Sequence, residues 1–246
     1  TLGTGGWDTE FLEAWSEAVQ GFEALNQNTP EALSIAKRRF ERAMEFDPDF
    51  GAAYSGLSFY SYFTARYGRT ADPVGTLAKG VELAEKAIEL APEYSFGHTS
   101  LAYNRLMQGQ ADAALAAAKL GVEMQPSNGF NQATMGFMLL FTGDARAALP
   151  FIERAKRIYV ITPWWIDANK SQALFVLGEY DAAIQAAKDS LPRTPPPFLA
   201  DMLIAVAGAQ YGAGNESDAR RTTAEALALN PNLSIDRHRF WDLPYI

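Results

Sequence analysis

Four glycines set the rhythm of this chain. Gly109, Gly143, Gly178 and Gly214 lie 34, 35 and 36 residues apart, each inside a short polar pause: QGQAD, TGDAR, LGEYD and GAGNESD. Prolines keep a parallel count at Pro48, Pro92, Pro126, Pro195 and Pro231, with steps of 34 from Pro92 to Pro126 and 36 from Pro195 to Pro231. Between the pauses apolar residues recur with helical period, and strand-like alternation is almost absent. A fixed period of this size, with two helical stretches in each, marks a stacked helical repeat. Each unit is too small to bury its own apolar face and does so against its neighbours.

Small residues keep the same register. Five residues after the turn glycine come Ala114, Ala148, Ala183 and Ala219, and seven residues beyond those come Gly121, Ala155, Ser190 and Ala226. Ala36 and Ala43 hold the same offsets before Pro48, as do Gly80 and Ala87 before Pro92. Seven residues before the glycine sit Ala102, Gly136, Ser171 and Ala207, with Ser58 equivalent in an earlier unit. Antiparallel helices approach closely only where side chains are small, and a spacing of seven keeps such positions on one face.

Composition narrows the function classes. The 246 residues are 48% hydrophobic and 20% charged, enough for a sizeable core in one elongated domain or two compact ones. The net charge of −8 repels phosphate backbones, so no nucleic-acid partner is expected. There is no cysteine, which excludes disulfides and thiolate chemistry. No apolar run reaches membrane length and nothing reads as a signal peptide, so no membrane insertion is expected. Residues 1–7, opening TLGTGG, are unpatterned and read as a tail or expression remnant.

The pattern of a large apolar residue, a small residue, a turn glycine, an alanine and a closing proline resembles the tetratricopeptide repeat (TPR). The unit 95–128 fits best, with Leu101, Ala102, Gly109, Ala114, Gly121 and Pro126. The resemblance implies an all-α, right-handed superhelical solenoid. It places about six helix–turn–helix units over 8–232, at 8–50, 51–94, 95–128, 129–163, 164–199 and 200–232, followed by a C-terminal cap over 233–246. Phe240 and Trp241 are the residues expected to cover the last apolar face. The departures are local. The first unit lacks the turn glycine and uses NQNTPEA, with Thr29 as N-cap and Pro30 at the first helical position. The second carries the extra stretch RYGRTADPVG, where Asp72-Pro73 restarts a helix. The fourth lacks its proline at Val160, and ITP delays it to Pro163.

Three irregular stretches are more specific. YFTARYGRTADPVGTLAKGVELAEKAIELAP, ITPWWIDANKSQALFVLGEYDAAI and PNLSIDRHRFWDLPYI, together with LSIAKRRFERAMEFDPDFGAAYSGLS, resemble the C-terminal TPR region of bacterial class III adenylate/guanylate cyclases and that of CadC-type winged-helix regulators. That resemblance implies a regulatory or sensing module attached to an output domain. The cytoplasm is the expected compartment, or the periplasm for a CadC-type regulator.

Chemistry is harder to find. The two histidines, His98 and His238, fall far apart in the repeat map, and no HExxH, Walker-type, dinucleotide or GxSxG motif occurs. No cofactor or metal and no catalysis is expected. Asp47 and Asp49 fall in an inter-repeat turn, where such residues belong.

Binding is the expected role. In the TPR pattern the first helix of each unit lines the concave face. Its ninth positions here are Phe59, Tyr103 and Phe137, and its thirteenth Phe63, Met107 and Phe141. Positions four apart share a helix face, giving two aromatic or sulfur-bearing rows. Tyr62, Leu106 and Leu140 join from the twelfth position, and Phe96, Phe130 and Trp165 from the second. Arg66, Asn104, Arg105, Asn131, Asn169 and Gln172 are the candidate orienting polar groups. Two readings stay open: the rows are the core of a tight superhelix, or they line an apolar groove for a peptide, a protein segment or an apolar small molecule. For Arg105 an outward, snorkelling side chain is the alternative. The fifth positions (Ser55, Thr99, Ala133, Ala168, Ile204) and the ninth lack the Lys and Asn of a carboxylate clamp.

The run GFMLLFTGD divides accordingly. Gly136 is the crossing point, Leu139 packs, Gly143 turns and Asp144 caps the next helix. Phe137, Leu140 and Phe141 belong to the concave side, and Met138 to a contact between repeats.

Overall fold

The computed structural model describes residues 9–233, and among them there are twelve α-helices and no strand. They are α1 (Thr9–Gln27), α2 (Pro30–Phe46), α3 (Gly51–Arg66), α4 (Pro73–Leu90), α5 (Phe96–Met107), α6 (Ala111–Met124), α7 (Gly129–Phe141), α8 (Ala145–Ile158), α9 (Trp164–Val176), α10 (Tyr180–Ser190), α11 (Pro196–Gly212) and α12 (Glu216–Leu229). A short 3-10 turn, Leu191–Arg193, follows α10. The chain forms two compact units, the first ending at Met124 and the second beginning at Gln125. In the first, α1/α2, α3/α4 and α5/α6 pair, and α2/α3, α4/α5, α1/α3 and α3/α5 join successive pairs. In the second, α7/α8, α9/α10 and α11/α12 pair, with α8/α9, α10/α11, α7/α9 and α9/α11 as the joins.

The turn glycines do what their spacing predicts. Gly109, Gly143, Gly178 and Gly214 have φ of 74°, 97°, 77° and 82°, a conformation open to residues without a Cβ. Each lets the next residue bond back across the helix end, as Gln110 N–H does to Arg105 O (2.9 Å) and Asp144 N–H to Leu139 O (2.9 Å). The predicted caps form, Thr29 accepting from Ala32 N–H (3.1 Å) and Asp144 from Ala147 N–H (2.9 Å), and at the expected restart Asp72 accepts from Gly75 N–H (2.9 Å).

The proline turns between repeats share one closing bond. Phe50 N–H donates to Asp47 O (3.1 Å), Tyr94 to Ala91 O (3.0 Å) and Asn128 to Gln125 O (3.0 Å), and each leads into the next first helix. Leu233 N–H closes the same turn on Asn230 O (3.2 Å) after α12. Asp49 N–H also reaches the Asp47 side chain, and Asn232 N–H that of Asn230. The expected cap residues Phe240 and Trp241, and His238, lie outside the described residues.

Helices cross at the small positions. A Cβ at Gly136 would stand 2.7 Å from Ile152 Cγ1 and 3.3 Å from Ala148 O of α8. Where serine replaces glycine or alanine, its hydroxyl reaches the partner backbone: Ser58 donates to Gly80 O (2.7 Å) and Ser171 to Ala183 O (2.9 Å). Among the described residues no helix is long and apolar enough to cross a membrane.

Candidate functional site

In the first unit the aromatic rows meet one another. The Phe59 and Tyr103 rings lie 5.9 Å apart, Tyr62 and Tyr103 4.8 Å, and Tyr62 and Phe63 5.1 Å; Phe96 joins at 6.4 Å from Phe59. Phe59, Tyr62, Tyr103 and Leu106 are buried, while Phe63 and Met107 are half-buried. The face is therefore narrower than two open rows: most rings pack on each other, and Phe63 and Met107 form its accessible edge.

A cationic margin borders this cluster where α3 ends. Arg66 is buried, its Cζ 5.9 Å from the Tyr62 ring centroid, and its guanidinium charge acts on the Tyr62 and Tyr67 phenols. Burial pushes both phenols above the usual tyrosine range, with Arg66 pulling the other way. Both stay protonated and keep a hydroxyl to donate. Tyr67 stacks on Phe63, with 7° between ring planes. Arg69 closes the margin, donating to Asn28 Oδ1 and Asn28 O (both 2.9 Å), its Cζ 5.1 Å from the Tyr67 ring centroid. Asn28 is buried and holds a φ of 48°, uncommon for a residue with a side chain.

Tyr67, Arg69 and Asn28 were not among the residues expected from sequence. The Asn at the start of the first interhelix loop was the one available signal, because Asn tolerates the left-handed conformation that Asn28 adopts.

The orienting polar groups need correction. Asn104 is fully buried and donates to Ser58 O (3.1 Å), Ser58 Oγ (3.0 Å) and Ser100 O (3.0 Å). It ties α5 to α3 and is no groove residue. Asn131 is also fully buried. Arg105 takes the outward alternative: its guanidinium donates to Glu85 Oε1 (3.0 Å) and Gln110 Oε1 (2.7 Å), so a local carboxylate already answers its charge.

In the second unit the rows are shorter. Phe137 and Phe141 are buried, their rings 4.3 Å apart, and Trp165 stands edge-on to Phe130 at 6.0 Å. Asn169 and Gln172 are half-buried on α9. An open apolar groove of about 520 Å³ lies between α11 and α12, lined by Ile204, Gly208, Tyr211, Ala219, Arg220 and Leu227. It was not expected from sequence.

The junction from α8 to α9 is a second unexpected feature. Asp167, at 1% exposure, takes ion pairs from Lys156 and Arg193. Arg193 also donates to the carbonyls of Thr162 and Asp189 (2.7 Å for the latter). The loop so pinned carries Val160 and Ile161, at 102% and 76% exposure. Among the described residues no group of His, Cys, Asp or Glu could hold a metal ion. Burial lowers the pKa of His98.

No protein-family model and no curated protein matches the chain. Solved structures do. A chain of the APC/C hetero-tetramer Cut9–Hcn1 superposes on 93% of this one with a TM-score of 0.72 at 20% identity, and the match spans 42% of that chain's length. PilF of Pseudomonas aeruginosa matches over 95% of this chain and 99% of its own, with a TM-score of 0.63 at 14% identity. YrrB, described as a TPR protein with an unusual peptide-binding site, matches over 81% and 96%, with a TM-score of 0.53 at 16% identity. At these identities the likeness concerns the fold: the chain is an all-α solenoid of TPR type.

Proposed function

We propose that this chain is a non-catalytic interaction module that holds a peptide or protein segment against the aromatic face of α3 and α5. The observation that carries this reading is the pairing of a ring cluster with the phenol–guanidinium margin of Tyr62, Arg66 and Tyr67. An apolar surface supplies affinity, and a few fixed polar groups supply orientation. A segment that lays a large apolar side chain on Phe63 and Met107 and turns a carbonyl or carboxylate toward the margin satisfies both. Two structural counterparts support the class. YrrB is described with a peptide-binding site, and Cut9 is found assembled with Hcn1.

The test uses the half-buried edge, because truncating the buried rings would disturb the fold. On an array of peptides probed with the purified chain, Phe63→Ala and Met107→Ala are expected to weaken captured peptides by about tenfold or more each, as for the loss of an anchoring contact. Helical circular dichroism should stay unchanged. Undiminished binding by both variants would reject the face.

In a second reading the occupant is an apolar small molecule lying on the half-buried Phe63 and Met107 at the edge of the ring cluster. It is distinguished by a rise in Tm with a metabolite library and no peptide captured. In either case the resemblance of the irregular stretches to cyclase and CadC-type TPR regions supports a regulatory role, with occupancy read by an attached output domain. A cyclase or winged-helix segment encoded next to this one would tie the module to that role.

A further inference from the structure

Two helices of this acidic chain break its charge balance in opposite directions. α8 carries Arg146, Arg154, Lys156 and Arg157 against Glu153 alone. Lys156 is committed to Asp167, and Glu153 to Lys170 (2.6 Å). Arg146, Arg154 and Arg157 are exposed, and none is ion-paired among the described residues. They fall within one side of the helix, since an offset of eleven residues returns to within about 20° of the starting direction and one of eight to within about 80°. The row runs into an apolar tip of Ile158, Val160 and Ile161, all exposed. That tip stands on the Asp167 clamp, so presenting it costs little ordering entropy on contact.

α1 is the counterpart. It carries Glu10, Glu13, Glu17 and Glu23 and no basic residue. Glu17 is held by Arg39 (2.8 Å) and Arg42 (3.2 Å), whereas Glu13 and Glu23 are exposed. Leu12 and Trp15, at 47% and 55% exposure, lie near its start. Arg146 and Arg157 are eleven residues apart and Glu13 and Glu23 ten, each about 15 Å along a helix.

We propose that α8 and its apolar tip dock antiparallel on α1 of a second copy of this chain. Ile158, Val160 and Ile161 then cover Leu12 and Trp15, Arg157 meets Glu13, and Arg146 meets Glu23. The two patches differ, so the contact closes into a pair where it is made twice reciprocally and otherwise leaves one face of each kind free. Exposed charges steer and register such a contact, and salt weakens it.

Sedimentation of the full chain tests this. At about 0.05 M salt the weight-average mass should rise with concentration to twice the monomer value or beyond, and at about 0.5 M it should fall back to monomer. The charge-swapped variants R146E/R157E and E13K/E23K should each stay monomeric. Their equimolar mixture should associate again, because each then supplies the face that the other lost. V160S/I161S should weaken association at least tenfold with unchanged circular dichroism. A wild-type monomer at every concentration overturns the proposal. So does association that ignores the charge swaps or the serine variant, or a swapped pair that fails to associate on mixing. Wild type that stays monomeric yet floats with phosphatidylserine-containing vesicles would assign the basic face to lipid and overturn it equally.

Discussion

Both units bury a polar lock between successive repeats, and they build it differently. In the first, Ser58, Gly80, Ser100 and Asn104 join α3, α4 and α5 with neutral groups alone. In the second, one carboxylate, Asp167, gathers Lys156 from α8 and Arg193 from beyond α10. The difference follows the repeat geometry. Where the proline turn is regular, small residues bring backbones close enough for a short hydroxyl or amide to bridge them. Where residues 159–163 lengthen the turn, only long cationic side chains span the gap. A neutral lock is inexpensive to bury. A charged one stays favourable only while its partners remain in place.

Breaking the two locks should rank them. Lys156→Met with Arg193→Met strands a buried carboxylate and should cost about 3–5 kcal/mol in a denaturant titration. Asp167→Asn should cost less, about 1–3 kcal/mol, because the two cations it releases are partly exposed and can reach water. Asn104→Ala should cost about the same, about 1–3 kcal/mol, by removing the two buried bonds to Ser58 that tie α5 to α3. If Asn104→Ala proved costlier than the double methionine variant, the ordering of neutral and charged locks would be wrong. Gly136→Ala sharpens the packing side: with Ile152 and the Ala148 carbonyl in its way, about 1–3 kcal/mol should be lost.

A pH titration separates the units more gently. The folded pKa values of Tyr62 and Tyr67 lie above those of the unfolded chain, chiefly through burial. Their contribution is complete below the unfolded value of about 10 and is lost as pH rises from there toward the folded values. Phenolate absorbance should therefore lag behind that of free tyrosine, with the missing fraction appearing as the first unit melts. The smallest effect belongs to the Val160–Ile161 tip: V160S/I161S should change stability by no more than about 0.5 kcal/mol, since these side chains stand exposed.

What the sequence made legible was local. The turn glycines, the caps at Thr29 and Asp144, the restart at Asp72-Pro73 and the crossing at Gly136 each follow from a backbone angle, a missing hydrogen-bond partner or a close approach. These constraints act over a few residues or recur at a fixed period. What it concealed was long-range. Asn104 looked like an orienting group beside the aromatic rows. It is instead part of the neutral lock because its register position meets Ser58, 46 residues earlier. Arg69 and Asn28 are 41 residues apart and Arg193 and Asp167 26 apart, and periodicity predicts neither pair. The aromatic residues were identifiable by type and position. Their division into buried rings and an accessible Phe63–Met107 edge depends on how closely α3 and α5 pack, which composition does not encode.

The turn after α12 bears on how such arrays change length. Asn230–Leu233 closes with the bond that, at Asp47–Phe50, Ala91–Tyr94 and Gln125–Asn128, leads into another helix. The array thus reaches Leu233 on a connector of the same kind used inside it. A further unit of about 34 residues joined at this point would inherit a direction already set by the chain before it. Gene duplication or deliberate grafting could therefore alter the number of repeats at this point without new solutions for the existing ones.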